Sequence, residues 1–198
     1  MIIQIRGTSG SGKSTVMREV MKRTIEKGGE WDPVFIERRK QPMMYRCGQL
    51  IVLGHYESAC GGCDTLGSAK TVYSVIEKVQ NNYTRVELNE YSEEIVCEPI
   101  ILCEGLLLSE DTKWSSLLDD LYVVFLTTGL DTCLERIAGR RRAAGNDKPL
   151  NPANTSNRVA VIERARLKLK EKCVVRRATS TQAPDIVLSW IRSELSKG

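Results

Sequence analysis

No apolar run in this sequence approaches the roughly 18 residues that a membrane-spanning helix needs, so neither a span nor a membrane partner is expected. The opening "MIIQI" is too short for the charged-then-apolar pattern of a secretory leader and runs at once into glycine, which points to the cytoplasm. There is no internal repeat and no low-complexity segment. Charge of one sign is scarce: 29 Lys and Arg against 25 Asp and Glu leave +4, which permits an anionic partner without demanding one. Only one histidine occurs, His55, and a lone imidazole packs or hydrogen-bonds more often than it catalyses. The seven cysteines are odd in number, and Cys97, Cys103, Cys133 and Cys173 stand in apolar stretches where a reduced thiol serves as a small hydrophobe. What is present is a 198-residue chain of ordinary globular composition, enough for one domain with a real core, so 1–198 reads as a single unit.

The pattern along the chain alternates between strand and helix. Met1 to Ile5 is a continuous apolar run closed by glycine, as in a buried strand. From Lys13 to Lys27, Val16, Met17, Val20, Met21 and Ile25 recur at helical spacing, and Gly28-Gly29 offers a helix stop. "VFIERR" (34–39), "MMYRC" (43–47) and "LIVLGHY" (50–56) predict two or three strands, followed by the glycine-rich turn "CGGCDTLG". "SAKTVYSVIEKVQ" predicts a helix capped by Ser68; "PIILCEGLLL" (99–108) and "LYVVFLT" (121–127) predict two more strands. A helix over 131–142, a polar loop, a basic amphipathic helix over 157–172, a strand at "CVVRR" and a helix opened by Pro184 complete the chain. This alternation predicts an α/β fold of three layers with a mostly parallel sheet, and a small β-rich insertion (34–68) after the first helix.

Into that frame falls "GTSGSGKST", residues 7–15. Gly7-x4-Gly12-Lys13-Ser14 satisfies the Walker A pattern in its required setting of strand, loop and helix. Glycines let the loop amides of Gly7, Thr8, Ser9, Gly10, Ser11 and Gly12 converge on phosphate oxygens, and the following helix adds the positive end of its dipole. Lys13 is expected to reach the β- and γ-phosphates of ATP and the Ser14 hydroxyl to hold Mg²⁺, with Thr15 closing the cradle. Glu104, at the tip of the "IILCE" strand, is a second candidate Mg²⁺ group, since α/β sheets bind ligands outside the carboxyl ends of their strands.

"GTSGSGKST", "IILCEG" and "VVFLTTGLDTCLERIAGRR" together resemble the small P-loop kinases of nucleosides, nucleotides and small metabolites. The resemblance implies a mobile lid, placed here at 139–156, and arginines that cover the triphosphate: Arg136, Arg140, Arg141 and Arg142, with Arg140 and Arg136 as catalytic candidates. It also implies that "RATSTQAP" (177–184) packs on the adenine, although that stretch carries no diagnostic residue. The NKxD guanine signature is absent, which argues against a GTPase. Transfer to a hydroxyl needs a carboxylate within hydrogen-bond reach, and Asp64 is the first candidate, Glu57 the second. Asp64 equally suits a turn or cap. Arg38, Arg39 and Arg46 could bind an acceptor phosphate or form a solvated face. Cys60-Gly-Gly-Cys63 has only Cys47 and His55 as neighbours in sequence, short of the two close pairs usual for zinc.

More narrowly, "IRGTSGSGKST", "GHYESACGGCDT" and "CEGLLLS" resemble kinases of tailed bacteriophages that phosphorylate 5-hydroxymethyluracil in DNA during thymine hypermodification. That resemblance implies a DNA partner carrying a modified pyrimidine, with "RVAVIERARLKLKEK" and "VVRR" against the phosphate backbone. It also implies a base that leaves the stack to reach the donor. A free nucleoside or nucleoside monophosphate is the alternative acceptor, although no "DR" plus phosphate-arginine signature marks such a site. A nucleotide-dependent switch without catalysis is a third reading.

Overall fold

The computed structural model describes residues 1–26, 28–36, 39–58, 61–88, 94–146 and 148–197. Its centre is the apolar strand β1 (Ile2–Arg6), buried on both sides and paired in parallel with β7 (Ile100–Glu104) and β8 (Leu121–Leu126). Beyond β7 lies β4 (Leu50–Leu53), and beyond β8 lies β9 (Val174–Ala178), both again parallel. Two short antiparallel strands, β3 (Met44–Cys47) and β2 (Asp32–Val34), extend the β4 edge to give the order β2-β3-β4-β7-β1-β8-β9. A separate hairpin, β5 (Arg85–Leu88) with β6 (Glu94–Cys97), precedes β7. The parallel core and its β-rich extension after the first helix match the expected α/β architecture.

Period-two alternation sends the strand side chains into two cores. On one face Ile3, Ile5, Val52, Leu102 and Val124 meet Val16, Met17 and Val20 of α1 (Lys13–Ile25) and Ala183, Val187 and Ile191 of α6 (Ala183–Leu195). On the other, Ile2, Ile51, Leu53, Ile101, Val123 and Phe125 meet α2 (Ala69–Tyr83), α3 (Leu106–Glu110) and α5 (Pro152–Leu169). Each such apolar side chain contributes about 1.5–3 kcal/mol by leaving water. The remaining helix, α4 (Leu130–Ala143), buries only Cys133 completely and runs along the carboxyl end of the sheet. Among the described residues no helix is long and apolar enough to cross a membrane.

Several boundaries differ from the sequence expectations for local reasons. The strand expected over 99–108 stops at Glu104, because Leu106 and Leu107 turn their amides onto the Asp64 carboxylate and begin α3. The basic helix starts at Pro152, not Asn157, where the Asn151 side chain accepts from Ala153 N at 3.0 Å. The β5–β6 hairpin was not foreseen. Ser68 does cap α2, accepting from Thr71 N at 3.1 Å.

One polar cluster interrupts the second core. Gln4 and Arg6 share its face of β1, and Arg6 is fully buried. The Arg6 guanidinium donates to Gln4 Oε1, to Ser115 Oγ and, at 2.6 Å, to Asp111 O, while Tyr73 OH lies 2.9 Å from Ser115 Oγ. Burial pulls the Arg6 guanidinium below its usual range, and Tyr73 and Asp111 oppose that shift. Arg6→Ala strands these acceptors and opens a cavity. It is expected to lower unfolding free energy by about 3 kcal/mol or more, read from the midpoint and slope of urea denaturation.

Candidate active site

The chain leaves β1 toward β4 and leaves β7 toward β8, so the loops diverge at the carboxyl ends of β1 and β7 and leave a crevice there. Residues 7–12 wrap its floor. Gly10 lies at φ 80, and a Cβ there would sit 2.5 Å from Cys133 O, so the loop passes α4 with room for glycine alone. Gly12, at φ 100, turns the chain into α1. The loop is fixed from outside: Gly7 N donates to Ser109 Oγ at 3.0 Å, Thr128 Oγ1 to Ser11 O at 2.8 Å, and Arg136 Nη1 to Gly10 O at 3.1 Å.

Lys13 is 7% exposed, and its ammonium donates to Gly7 O at 2.9 Å and Thr8 O at 3.1 Å. Burial lowers its pKa, and the nearby Glu104 and Asp64 carboxylates oppose the shift. Thr8 Oγ1 and Ser11 Oγ are buried in the same loop without a hydrogen-bond partner, an unsatisfied state that a bound anion relieves. Loop, lysine and open hydroxyls fit a polyphosphate.

Ser14 Oγ donates to Glu104 Oε1 at 2.7 Å. Glu104 is 1% exposed; burial raises its pKa, and Lys13 and Ser14 pull it back down. A hydroxyl and a carboxylate oxygen side by side are the hard donors that Mg²⁺ prefers, so this pair fits the ion. The register that sets Ile5 opposite Glu104 brings these groups together from 90 residues apart.

The segment after β4 forms one wall of the crevice, lined by Gly61, Asp64 and Thr65. Gly54, Gly61 and Gly62 let it fold back on itself, with Gly62 N donating to His55 O at 2.9 Å. Asp64 enters the crevice at its rim, where it accepts from Leu106 N at 2.9 Å and Leu107 N at 3.0 Å; it therefore caps α3 while its charge acts on Lys13 and Glu104. Glu57 accepts from Tyr45 OH at 3.3 Å and does not line the crevice. Arg46 stacks over Tyr83 at the opposite end of the sheet, and Arg39 also lies outside the crevice. Arg38 and Cys60 lie outside the described residues. Cys63 is buried, and among the described residues no three His, Cys, Asp or Glu side chains gather as for a metal.

The opposite wall is α4. Arg136, Arg140 and Arg141 line the crevice with Ser9, Thr15 and Ser180, enclosing about 900 Å³; Arg142 does not. Ser180 belongs to the 177–184 stretch and lies against Gly12. Of the basic helix, Arg158 pairs with Glu110 and Arg166 with Glu163. Lys168, Lys170 and Lys172 lead into the start of β9, the end of the sheet away from the crevice. Three residues of the site went unread in the sequence: Ser109, Thr128 and Arg18. Arg18 alone left a signal, since its position four after Ser14 puts it on the same helix face.

A Cβ on Gly62 would meet Glu104 Oε1 at 2.3 Å, and its φ of 77 disfavours any other residue. Gly62→Ala therefore displaces either the loop or the carboxylate. Turnover is expected to fall at least about tenfold and the melting temperature by several degrees, as measured by steady-state kinetics and thermal denaturation.

No protein-family profile matches the chain. A 5-hmdU DNA kinase of Pseudomonas phage PaMx11 is 39% identical over 164 residues, which span 78% of this chain and 77% of that protein. A 5-hmdU DNA kinase of Pseudomonas phage M6 is 24% identical over 171 residues, 83% of this chain and 82% of its own. A third, from Delftia phage PhiW-14, is 41% identical over 68 residues, 33% of this chain and 22% of its own. Among solved structures, a gluconokinase from Sinorhizobium meliloti 1021 aligns over 98% of this chain and 94% of its own at 14% identity and a TM-score of 0.46. With a relative this similar along most of both chains, the protein belongs to the 5-hmdU DNA kinases of bacteriophages.

Proposed function

We infer that the protein transfers the terminal phosphoryl group of ATP to the hydroxymethyl oxygen of 5-hydroxymethyluracil in DNA. The observation that carries this reading is the 39% identity with a 5-hmdU DNA kinase across 78% of the chain. The crevice supports it with a phosphate cradle and two carboxylates, Glu104 buried within it and Asp64 at its rim. The three relatives named above are phage proteins, which supports action in the host cytoplasm where phage DNA is made.

The loop amides and Lys13 bind the β- and γ-phosphates, and the exposed Arg136 and Arg140 on α4 neutralise charge as the phosphoryl group moves. Residues 139–156 act as the lid that carries Arg140, while Arg136 already reaches the loop at Gly10 O. Ser14 and Glu104 would hold Mg²⁺, which would supply charge neutralisation on the phosphate oxygens. Asp64 accepts the hydroxyl proton as the hydroxymethyl oxygen bonds to the γ-phosphorus, the bond from that phosphorus to the bridging oxygen breaks, and ADP leaves with the bond's electrons. A base inside a duplex cannot reach this pocket, so the nucleotide turns out of the stack.

With ATP, Mg²⁺ and DNA containing 5-hydroxymethyluracil, digestion is expected to release a phosphorylated modified nucleoside, with free nucleosides and nucleotides unlabelled. Label on the free compounds alone overturns the reading. Lys13→Ala is expected to lose about 10³-fold or more in kcat.

Asp64→Asn separates two roles of one side chain. As acceptor of the hydroxyl proton, its loss costs about 10²-fold or more in kcat with ATP affinity unchanged. A drop in melting temperature with full activity reduces it to the cap of α3.

A further inference from the structure

Arg18 stands on α1 one turn beyond Ser14, half-buried, and lines the crevice on the side of the Gly54–Leu66 loop. Its Nε donates to Tyr56 O at 3.0 Å and its Nη2 to Ser58 O at 2.5 Å. Both acceptors are neutral carbonyls. No carboxylate forms an ion pair with it among the described residues, and two of its donors fix its plane. Nη1 donates to none of the described residues.

A cation so held has no need of itself in the fold, because loop carbonyls can be satisfied by neutral donors. Its charge acts on Glu104, the buried carboxylate at the same end of the crevice. The α4 arginines follow β8 and flank Gly10 and Gly12, whereas Arg18 faces the loop that follows β4, on the far side of β7 from the phosphate cradle's strand. Two groups of arginine on opposite walls imply two anions. The α4 set serves the triphosphate; the other anion enters with the acceptor. Near Glu104 and Asp64, an acceptor bearing a phosphate needs a compensating cation, and a planar guanidinium matches phosphate oxygens in geometry as well as charge.

Building on the DNA-kinase reading, we propose that Arg18 binds a backbone phosphodiester of the acceptor strand beside the nucleotide that is phosphorylated. The loop carbonyls aim the fork, and the strand docks against it while the modified base occupies the crevice.

Binding of a fluorescent duplex carrying one 5-hydroxymethyluracil, measured by anisotropy across a KCl series with a non-hydrolysable ATP analogue, tests this. Arg18→Ala is expected to weaken binding at least about tenfold near physiological salt and to lower the slope of log K against log[KCl] by about 0.9, one phosphate contact. Affinity for the ATP analogue stays within twofold of wild type. Arg18→Lys recovers the slope but only part of the affinity, because a point charge cannot reproduce the fork. An unchanged slope in Arg18→Ala overturns the proposal, whatever happens to kcat, because loosening the loop alters turnover without removing a phosphate contact. Failure of the underlying reading is distinct: wild-type protein then leaves 5-hydroxymethyluracil DNA unlabelled, and this proposal falls with it.

Discussion

A buried carboxylate and a buried ammonium face each other in the crevice between β1 and β7, and every other part of the site is arranged around that pair. Neither charge is comfortable alone: burial raises the pKa of Glu104 and lowers that of Lys13, and each moderates the shift of the other. Ser14 donates to Glu104 and draws its pKa back down, while the carbonyls of Gly7 and Thr8 accept from the Lys13 ammonium. These contacts are those of a resting cradle. In the proposed reaction an incoming triphosphate replaces the carbonyls as partners of the lysine and brings counter-charge to a buried ammonium.

The phosphate loop was legible in the sequence because its chemistry is local: glycine, lysine and serine at fixed spacing between an apolar run and a helical period need no distant partner to be recognised. The buried strands were legible for the same reason. The loop's external ties were not. Ser109 and Thr128 reach it across 102 and 117 residues, and nothing near either residue announces the contact. The α3 boundary was misread because "GLLL" continues an apolar run, and what ends the strand is an aspartate 42 residues earlier. In the hairpin, Val86 and Leu88, then Ile95 and Cys97, alternate with polar residues, but no glycine-containing turn sits between them to give the pairing away.

Asp64 shows why one residue can carry two readings with equal right. As a helix cap it needs both oxygens directed at backbone amides, and it has them. As an acceptor-side carboxylate it needs a place at the crevice beside Lys13 and Glu104, and it has that too. Each carboxylate oxygen has more than one lone pair, so capping fixes the orientation without exhausting the capacity to accept.

The same short helix touches both halves of the reaction. Its first amides hold Asp64 on the acceptor loop, and one turn later Ser109 holds the amide of Gly7 at the start of the phosphate loop. Five residues thus tie the loop that carries Asp64 to the phosphate loop. Under the proposed reaction, a displacement of the loop that carries Asp64 is passed through α3 to the loop that cradles phosphate, which links the arrival of one substrate to that of the other.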